Sequence, residues 1–275
     1  AMPEPGTLYG DTLPNFTEFF SILEPQVAAI AKGKQKKLSP IWFKSINSTL
    51  DNYLGECPTE FTYNGKTYTP QSYMASTGLN MDDYVSLTSF THHPFHEQFV
   101  IEVQDNWRWA LSYNLPLDEF MEVMESGVKN GYTFAWGADV TENGFSRDGI
   151  AVYPDLQKVK DENGSDYARW FGTTSTSSRG AYTARPLPEI TVTQEMRQEA
   201  YDNWETTDDH GMIIYGIAAD QNGKEYFMVK NSWGTNYKYN GIWYASKAFV
   251  AYKTMNILIH KDAIPKNIAK KLGIK

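Results

Sequence analysis

Asp209-His210-Gly211-Met212-Ile213-Ile214-Tyr215-Gly216-Ile217, then a polar turn, then Tyr226-Phe227-Met228-Val229-Lys230-Asn231-Ser232-Trp233-Gly234: this stretch decides the fold. Residues 211–219 and 226–230 are short apolar, aromatic and β-branched runs, and Asp220-Gln221-Asn222-Gly223 between them carries turn chemistry. The pattern predicts a β-hairpin. A loop with an even number of residues, centred between Gln221 and Asn222, sets position 210 opposite 233 and 231 opposite 212. His210 and Asn231 then share a face as diagonal neighbours. An odd loop would send them to opposite faces, so the turn decides whether the two side chains meet.

A His beside an Asn on a rigid hairpin has a chemical use. The amide oxygen can accept one imidazole N–H, fix the tautomer and aim the other ring nitrogen at a nucleophile. An uncharged partner suits a thiolate stabilised by a neighbouring imidazolium. Gly211 is expected to leave room beside the ring, and Trp233 to cover the His–Asn bond from water. The plainer alternative is a core histidine in an ordinary hairpin.

Asp209-His210-Gly211-Met212 followed by Lys230-Asn231-Ser232-Trp233-Gly234 resembles the His and Asn motifs of papain-like cysteine peptidases. Within that clan it is most similar to the bleomycin hydrolase/aminopeptidase C family. The likeness extends through Thr206-Thr207-Asp208, the run from Trp136 to Val140, Tyr53-Leu54-Gly55 and residues 61–68. It implies an α+β, papain-like fold, with a helical region and an antiparallel β lobe. Residues 1–131 are expected to be a mainly helical insertion and 132–275 the β-rich lobe, together the C-terminal part of one peptidase domain. The resemblance further implies His210 as acid/base, Asn231 as its orienter, Trp233 in support, and peptide substrates. It implies a cytoplasmic location, with a periplasmic or secreted one left open, a homo-oligomer of the hexameric kind, and no cofactor. In such enzymes the chain's C-terminus limits cleavage to the substrate's N-terminus, and the tail Leu272-Gly273-Ile274-Lys275 is more basic than that role suggests. Near Trp136 and Asp139 the resemblance places the substrate cleft; a core Trp beside a turn Asp is the alternative reading.

Such catalysis needs a cysteine at the start of a buried helix and a Gln shortly before it. The one cysteine is Cys57, in Leu54-Gly55-Glu56-Cys57-Pro58-Thr59-Glu60. Its separation from His210 is close to the roughly 130–150 residues such enzymes show. Its surroundings do not fit: no Gln precedes it, no Trp follows, no apolar helix begins there, and Glu56 and Glu60 flank it. Cys57 is therefore expected to be a structural turn residue. The nucleophile is expected on a companion N-terminal segment absent from these 275 residues. Ala1 before Met2 is the mark of a tag remnant or a processed end. A non-catalytic peptide-binding or regulatory module that keeps the fold is the alternative.

Composition sets outer limits. With 41% hydrophobic and 15% aromatic residues the chain can bury a sizeable core. A net charge of -8 argues against a phosphate-binding surface and so against nucleic acid. No apolar run reaches membrane-spanning length.

Elsewhere, a helix near Phe16 is expected to divide at Pro25, and Ser39-Pro40 to open a second with Trp42, Ile46, Leu50 and Tyr53 on one stripe. Asn64-Gly65 signals a tight hairpin, Tyr84 to Phe90 a strand, and Leu117 to Val128 an amphipathic helix. Thr193 is expected to cap a helix whose Met196, Ala200 and Trp204 share a face. Trp107 and Trp109 are assigned to an interface between lobes, and the Thr/Ser-rich residues 173–179 to a long loop. Three imidazoles in His92-His93-Pro94-Phe95-His96 invite a metal reading, but Pro94 disfavours a helical ligand pair and no partner cluster is evident, so loop residues are expected.

Overall fold

The computed structural model describes residues 15–158 and 186–275; the Thr/Ser-rich tract at 173–179 lies outside them. The chain forms two compact units, residues 1–79 and 80–275. In the first, α1 (Thr17–Ala31) and α2 (Ile41–Leu54) are joined by Gln26 to Ser45 and Thr49 and by Tyr53 to Glu18. α1 runs unbroken through Pro25, which is exposed, so the carbonyl that loses its partner there can bond water. α2 starts one residue later than expected, with Pro40 rather than Ser39 as its cap. β1 (Phe61–Tyr63) and β2 (Lys66–Tyr68) pair across Asn64-Gly65, both in the left-handed region, as a two-residue turn of this type requires. Thr69 caps α3 (Pro70–Ser76) through a reciprocal bond with Ser72.

The second unit begins well before the expected boundary at 131/132. Residues 80–131 are not a helical insertion: β3 (Tyr84–Thr88), β4 (Gln98–Val100) and β5 (Leu111–Asn114) belong to the main sheet, followed by α4 (Leu117–Lys129). The reason is hydrogen bonding. Strands this short cannot stand alone, and β3 finds its partners on β11 (Thr254–His260), far along the chain. The remaining strands are β6 (Phe134–Ala138), β7 (Ile150–Ala151), β8 (His210–Ala219), β9 (Glu225–Lys230) and β10 (Ile242–Ser246). Among the described residues they form one sheet in the order β4-β5-β3-β11-β6-β8-β9-β10-β7, with only β3–β5 and β10–β7 parallel.

One face of this sheet is the core. Phe134, Trp136, Met212, Ile214, Val229, Ile257 and Ile259 point into it. Against them pack Phe120, Val123 and Met124 of α4, Phe249 and Val250 of α6 (Lys247–Lys253), and Ile268 of α7 (Lys266–Lys271). Full burial of each such side chain stabilises by about 1.5–3 kcal/mol. Leu272 and Ile274 pack onto the same core. No helix among the described residues is long and apolar enough to cross a membrane.

α5 (Gln194–Asp202) is capped by Thr193 as expected, but its buried face is Arg197, Gln198 and Ala200. Trp204 is 69% exposed: the helix has ended, and Trp204 sits at a left-handed backbone position that breaks the phase. Arg197 is buried by giving its N–H groups to Ser89 and Ala251 carbonyls, with its guanidinium over the Phe90 ring. Trp107 and Trp109 are each 76% exposed.

Candidate active site

The hairpin that carries His210 and Asn231 combines two irregularities that cancel. At its tip Ala219 pairs with Glu225, leaving the five-residue loop 220–224, an odd number. Asp220 organises that loop by accepting the Asn222 and Lys224 amides. A uniform ladder from this tip would put His210 and Asn231 on opposite faces. Tyr215 instead bulges out: pairing resumes as Ile214 with Val229 and Ile213 with Lys230. That is the register of the even loop, reached another way. His210 therefore stays in phase with Met212 and Ile214, and Asn231 with Val229.

His210 Nε2 lies 2.9 Å from Asn231 Oδ1. The same oxygen accepts the Ser232 amide N–H at 2.7 Å, and a backbone N–H can only donate, so the oxygen and not the NH₂ faces this point. His210 Nε2 must then be the protonated nitrogen. Nδ1 is left with its lone pair, and no hydrogen-bond partner for it is found among the described residues. Asn231 is only 3% exposed, and its Nδ2 is buried without a partner among the described residues, at a cost of about 1–3 kcal/mol. Trp233 lies 5.1 Å from the imidazole, ring centre to ring centre, and is held edge-on by Phe145 and Trp243.

The chain leading into His210 is stapled by carboxylates to the loop after β6. Asp209 accepts the Val140 amide, while Asp139 accepts the amides of Thr141 and Thr207, so each loop holds the other. Burial, and then the neighbouring Asp139, raise the Asp209 carboxyl above its ordinary range, opposed by the Val140 bond. Buried Lys253 anchors the preceding turn at the Glu205 carbonyl and the Thr206 hydroxyl, and pairs with Glu142. Asp208 is raised to about 6 by burial and by the charges of Asp105 and Asp209.

Several expectations change. Trp136 is fully buried with its N–H on Thr254 Oγ1, and its neighbour on β8 is Met212, so it supports the site from the core and lines no cleft. Asp139, 2% exposed, has both oxygens occupied by the loop and is likewise a scaffold residue. A side chain at Gly211 would meet open space. Ala138 is the cross-strand partner of His210, and beside it Gly137 is tightly placed: a Cβ there would come 2.5 Å from Asn256 Oδ1 and force that side chain to move. Cys57 is exposed in the connection between α2 and β1, not at a helix start. His96 turns to Glu119, whereas His92 and His93 both reach Glu102. The roles of Asp209, Thr207 and Lys253 were missed; the polar run Thr206-Thr207-Asp208-Asp209 just before an apolar strand was the available signal.

An α+β fold whose long antiparallel-rich sheet carries an imidazole–amide pair at one end is the papain-like fold. Residues 172–274 match the model of the Peptidase C1-like family. It is 26% identical over 219 residues to Aminopeptidase C of Streptococcus thermophilus, covering 77% of this chain and 41% of that protein. With Aminopeptidase C of Lactobacillus helveticus the identity is 20% over 211 residues, again 41% of that protein and 74% of this chain. The crystal structure of PepW from Lactobacillus rhamnosis superposes with a TM-score of 0.58 at 21% identity, covering 93% of this chain and 55% of that one. The chain thus spans well under half the length of the curated relatives it matches.

Two measurements check the site. Imidazole ¹⁵N shifts at neutral pH should show His210 as the Nε2–H tautomer, and Asn231→Ala should mix the two tautomers; an Nδ1–H signal in the parent would contradict the assignment. Asp208, raised from 3.8 to about 6, favours the fold fully below pH about 4, and this contribution is lost as pH rises through 6. Asp208→Asn should therefore be more stable than the parent at pH 7, on the order of 1–2 kcal/mol after allowing for partial exposure. The gain should vanish below pH 4 in urea unfolding, and a gain independent of pH would refute the cause given.

Proposed function

We propose that this chain supplies the acid/base part of a cysteine-type peptidase, an aminopeptidase acting on peptide substrates, whose nucleophilic cysteine lies on a companion segment outside this sequence. The observation that carries the reading is the His210–Asn231 pair, with Nε2–H committed to the amide oxygen and Nδ1 left as a base. The exopeptidase direction rests on the relatives that bear the name Aminopeptidase C.

The chemistry follows from that geometry. A thiol brought to Nδ1 gives up its proton, and the thiolate is held by the imidazolium, whose other N–H stays on Asn231. The sulfur attacks the scissile carbonyl, and the carbonyl electron pair moves to oxygen. A donor from the companion segment stabilises that oxyanion, the part the resemblance assigns to a Gln. As the C–N bond breaks, His210 returns its proton to the leaving amine. Water, deprotonated by the same nitrogen, then releases the acyl group and regenerates the thiol. Asn231 keeps the ring in one orientation through every step, and Trp233 limits water's access to the bond that does so. Lys253, Asp139 and Asp209 touch no reacting atom and act as positioning residues.

The chain alone should not cleave peptides with a free N-terminus, since water is a far poorer nucleophile than a thiolate. Co-expression with the upstream segment should give activity that thiol reagents abolish, that His210→Ala removes, and that Cys57→Ser changes by no more than a few-fold. Thiol-sensitive cleavage by the 275 residues alone, lost on Cys57→Ser, would overturn this assignment. A well-folded reconstituted pair that binds peptides without cutting them would identify a non-catalytic module instead.

A further inference from the structure

We propose that His92, His93 and Glu102 form a binding site for a zinc-class divalent cation, distinct from the His210 site. The donor atoms all lie within 4.8 Å of one another, and among the described residues this is the one group of three or more His, Cys, Asp or Glu side chains placed so. His92 Nε2 is 3.2 Å from Glu102 Oε2 and His93 Nε2 is 3.0 Å from Oε1. The edge of a tetrahedron around zinc with bonds of about 2.0–2.1 Å is roughly 3.3 Å. A cation can therefore enter between these atoms with sub-ångström shifts of the side-chain ends.

The convergence is not what successive residues do by default. In a strand, neighbours such as His92 and His93 point to opposite faces. Here the turn before Pro94 brings both rings to one carboxylate, and each ring is held flat by an aromatic partner. His92 stacks on Tyr201 at 5.0 Å and His93 on Phe99 at 4.4 Å. The outer partners also suit a metal. The Gln198 amide is oriented by the Thr91 N–H on its oxygen and by its own bond to Asp202. His92 Nδ1 lies 3.1 Å from the Gln198 amide nitrogen and 3.3 Å from its oxygen, so an imidazole bound to metal through Nε2 can turn its other N–H to that oxygen with a small shift. The Tyr201 hydroxyl donates to the Glu102 carboxylate.

Two imidazoles and one carboxylate are the donor set of zinc and its neighbours in the transition series, not of calcium or magnesium. The His92, His93 and Glu102 side chains are 27, 37 and 56% exposed, which gives a cation entry and leaves water a coordination position. The bound ion would clasp the 92–93 turn and the segment after β4 to α5, the helix that leads the chain to His210. The nucleophile proposed above is a thiolate, so the cation takes no part in that chemistry.

The test uses tag-free protein titrated with Co²⁺, followed by its visible d–d bands, and with Zn²⁺ by calorimetry. One equivalent should bind, and Zn²⁺ should raise the thermal midpoint. His93→Ala and the milder Glu102→Gln should each weaken binding by roughly tenfold or more while circular dichroism shows the fold intact. His96→Ala and His210→Ala should bind as the parent does. No saturable binding by the parent, binding that survives Glu102→Gln, or binding lost with His210→Ala would each overturn the proposal.

Discussion

Everything at the site depends on the register of β8 against β9. Side chains on a strand alternate with a period of two, so a slip of one residue moves every one of them to the other face. The odd loop at 220–224 imposes such a slip, and the bulge at Tyr215 reverses it. Because Met212, Ile214 and Val229 are buried in the core, the corrected register is enforced by the burial of several large apolar groups at once. His210 and Asn231 ride at the end of these runs. The hydrophobic pattern, worth several kcal/mol, thus sets a geometry that a single hydrogen bond of about 1 kcal/mol could not hold.

Polar contacts then refine what packing has fixed. The Ser232 amide decides which way the Asn231 side chain faces, and that decides the imidazole tautomer. The crossed staples from Asp139 and Asp209, with Lys253 behind them, hold the turn from which β8 departs. Burying carboxylates there, and close to one another, has a cost: Asp208 and Asp209 are both harder to ionise than free aspartates. The buried, unpartnered Asn231 Nδ2 adds to it. Polar groups held at such expense are concentrated at functional sites.

How much of this was legible in the sequence depended on whether the deciding interaction was local. The Asn64-Gly65 turn, the Thr193 cap and the apolar stripe of α4 are set within a few residues, and each reads directly. The His–Asn pairing was legible as an alternative: two registers, one of them productive. Gly216 inside an apolar strand was the available hint of the bulge, since a glycine there often marks one. Strand β3 was legible within Tyr84 to Phe90, whereas β4, with 3 residues, and β5, with 4, are too short to show a pattern among His, Pro and Trp. Trp136 and Asp139, singled out for the substrate cleft, have side chains consumed by the scaffold, as in the alternative of a core Trp beside a turn Asp. Glu102 gave no sign of its meeting with His92 and His93, because they lie on opposite sides of β4 and meet only through the path the chain takes around that strand.

The most direct test is a map of cross-strand nuclear Overhauser contacts along this hairpin. The structure requires Ile214 opposite Val229 and Ile213 opposite Lys230, Gly216 opposite Met228, and Tyr215 without a partner. Contacts at those positions, with His210 and Asn231 side-chain protons close to each other, are the expected result. A uniform ladder that continues the pairing of Gly216 with Met228 into Tyr215 with Val229 and Ile214 with Lys230 would place His210 on the opposite face from Asn231. That outcome would contradict the site and the peptidase chemistry built on it.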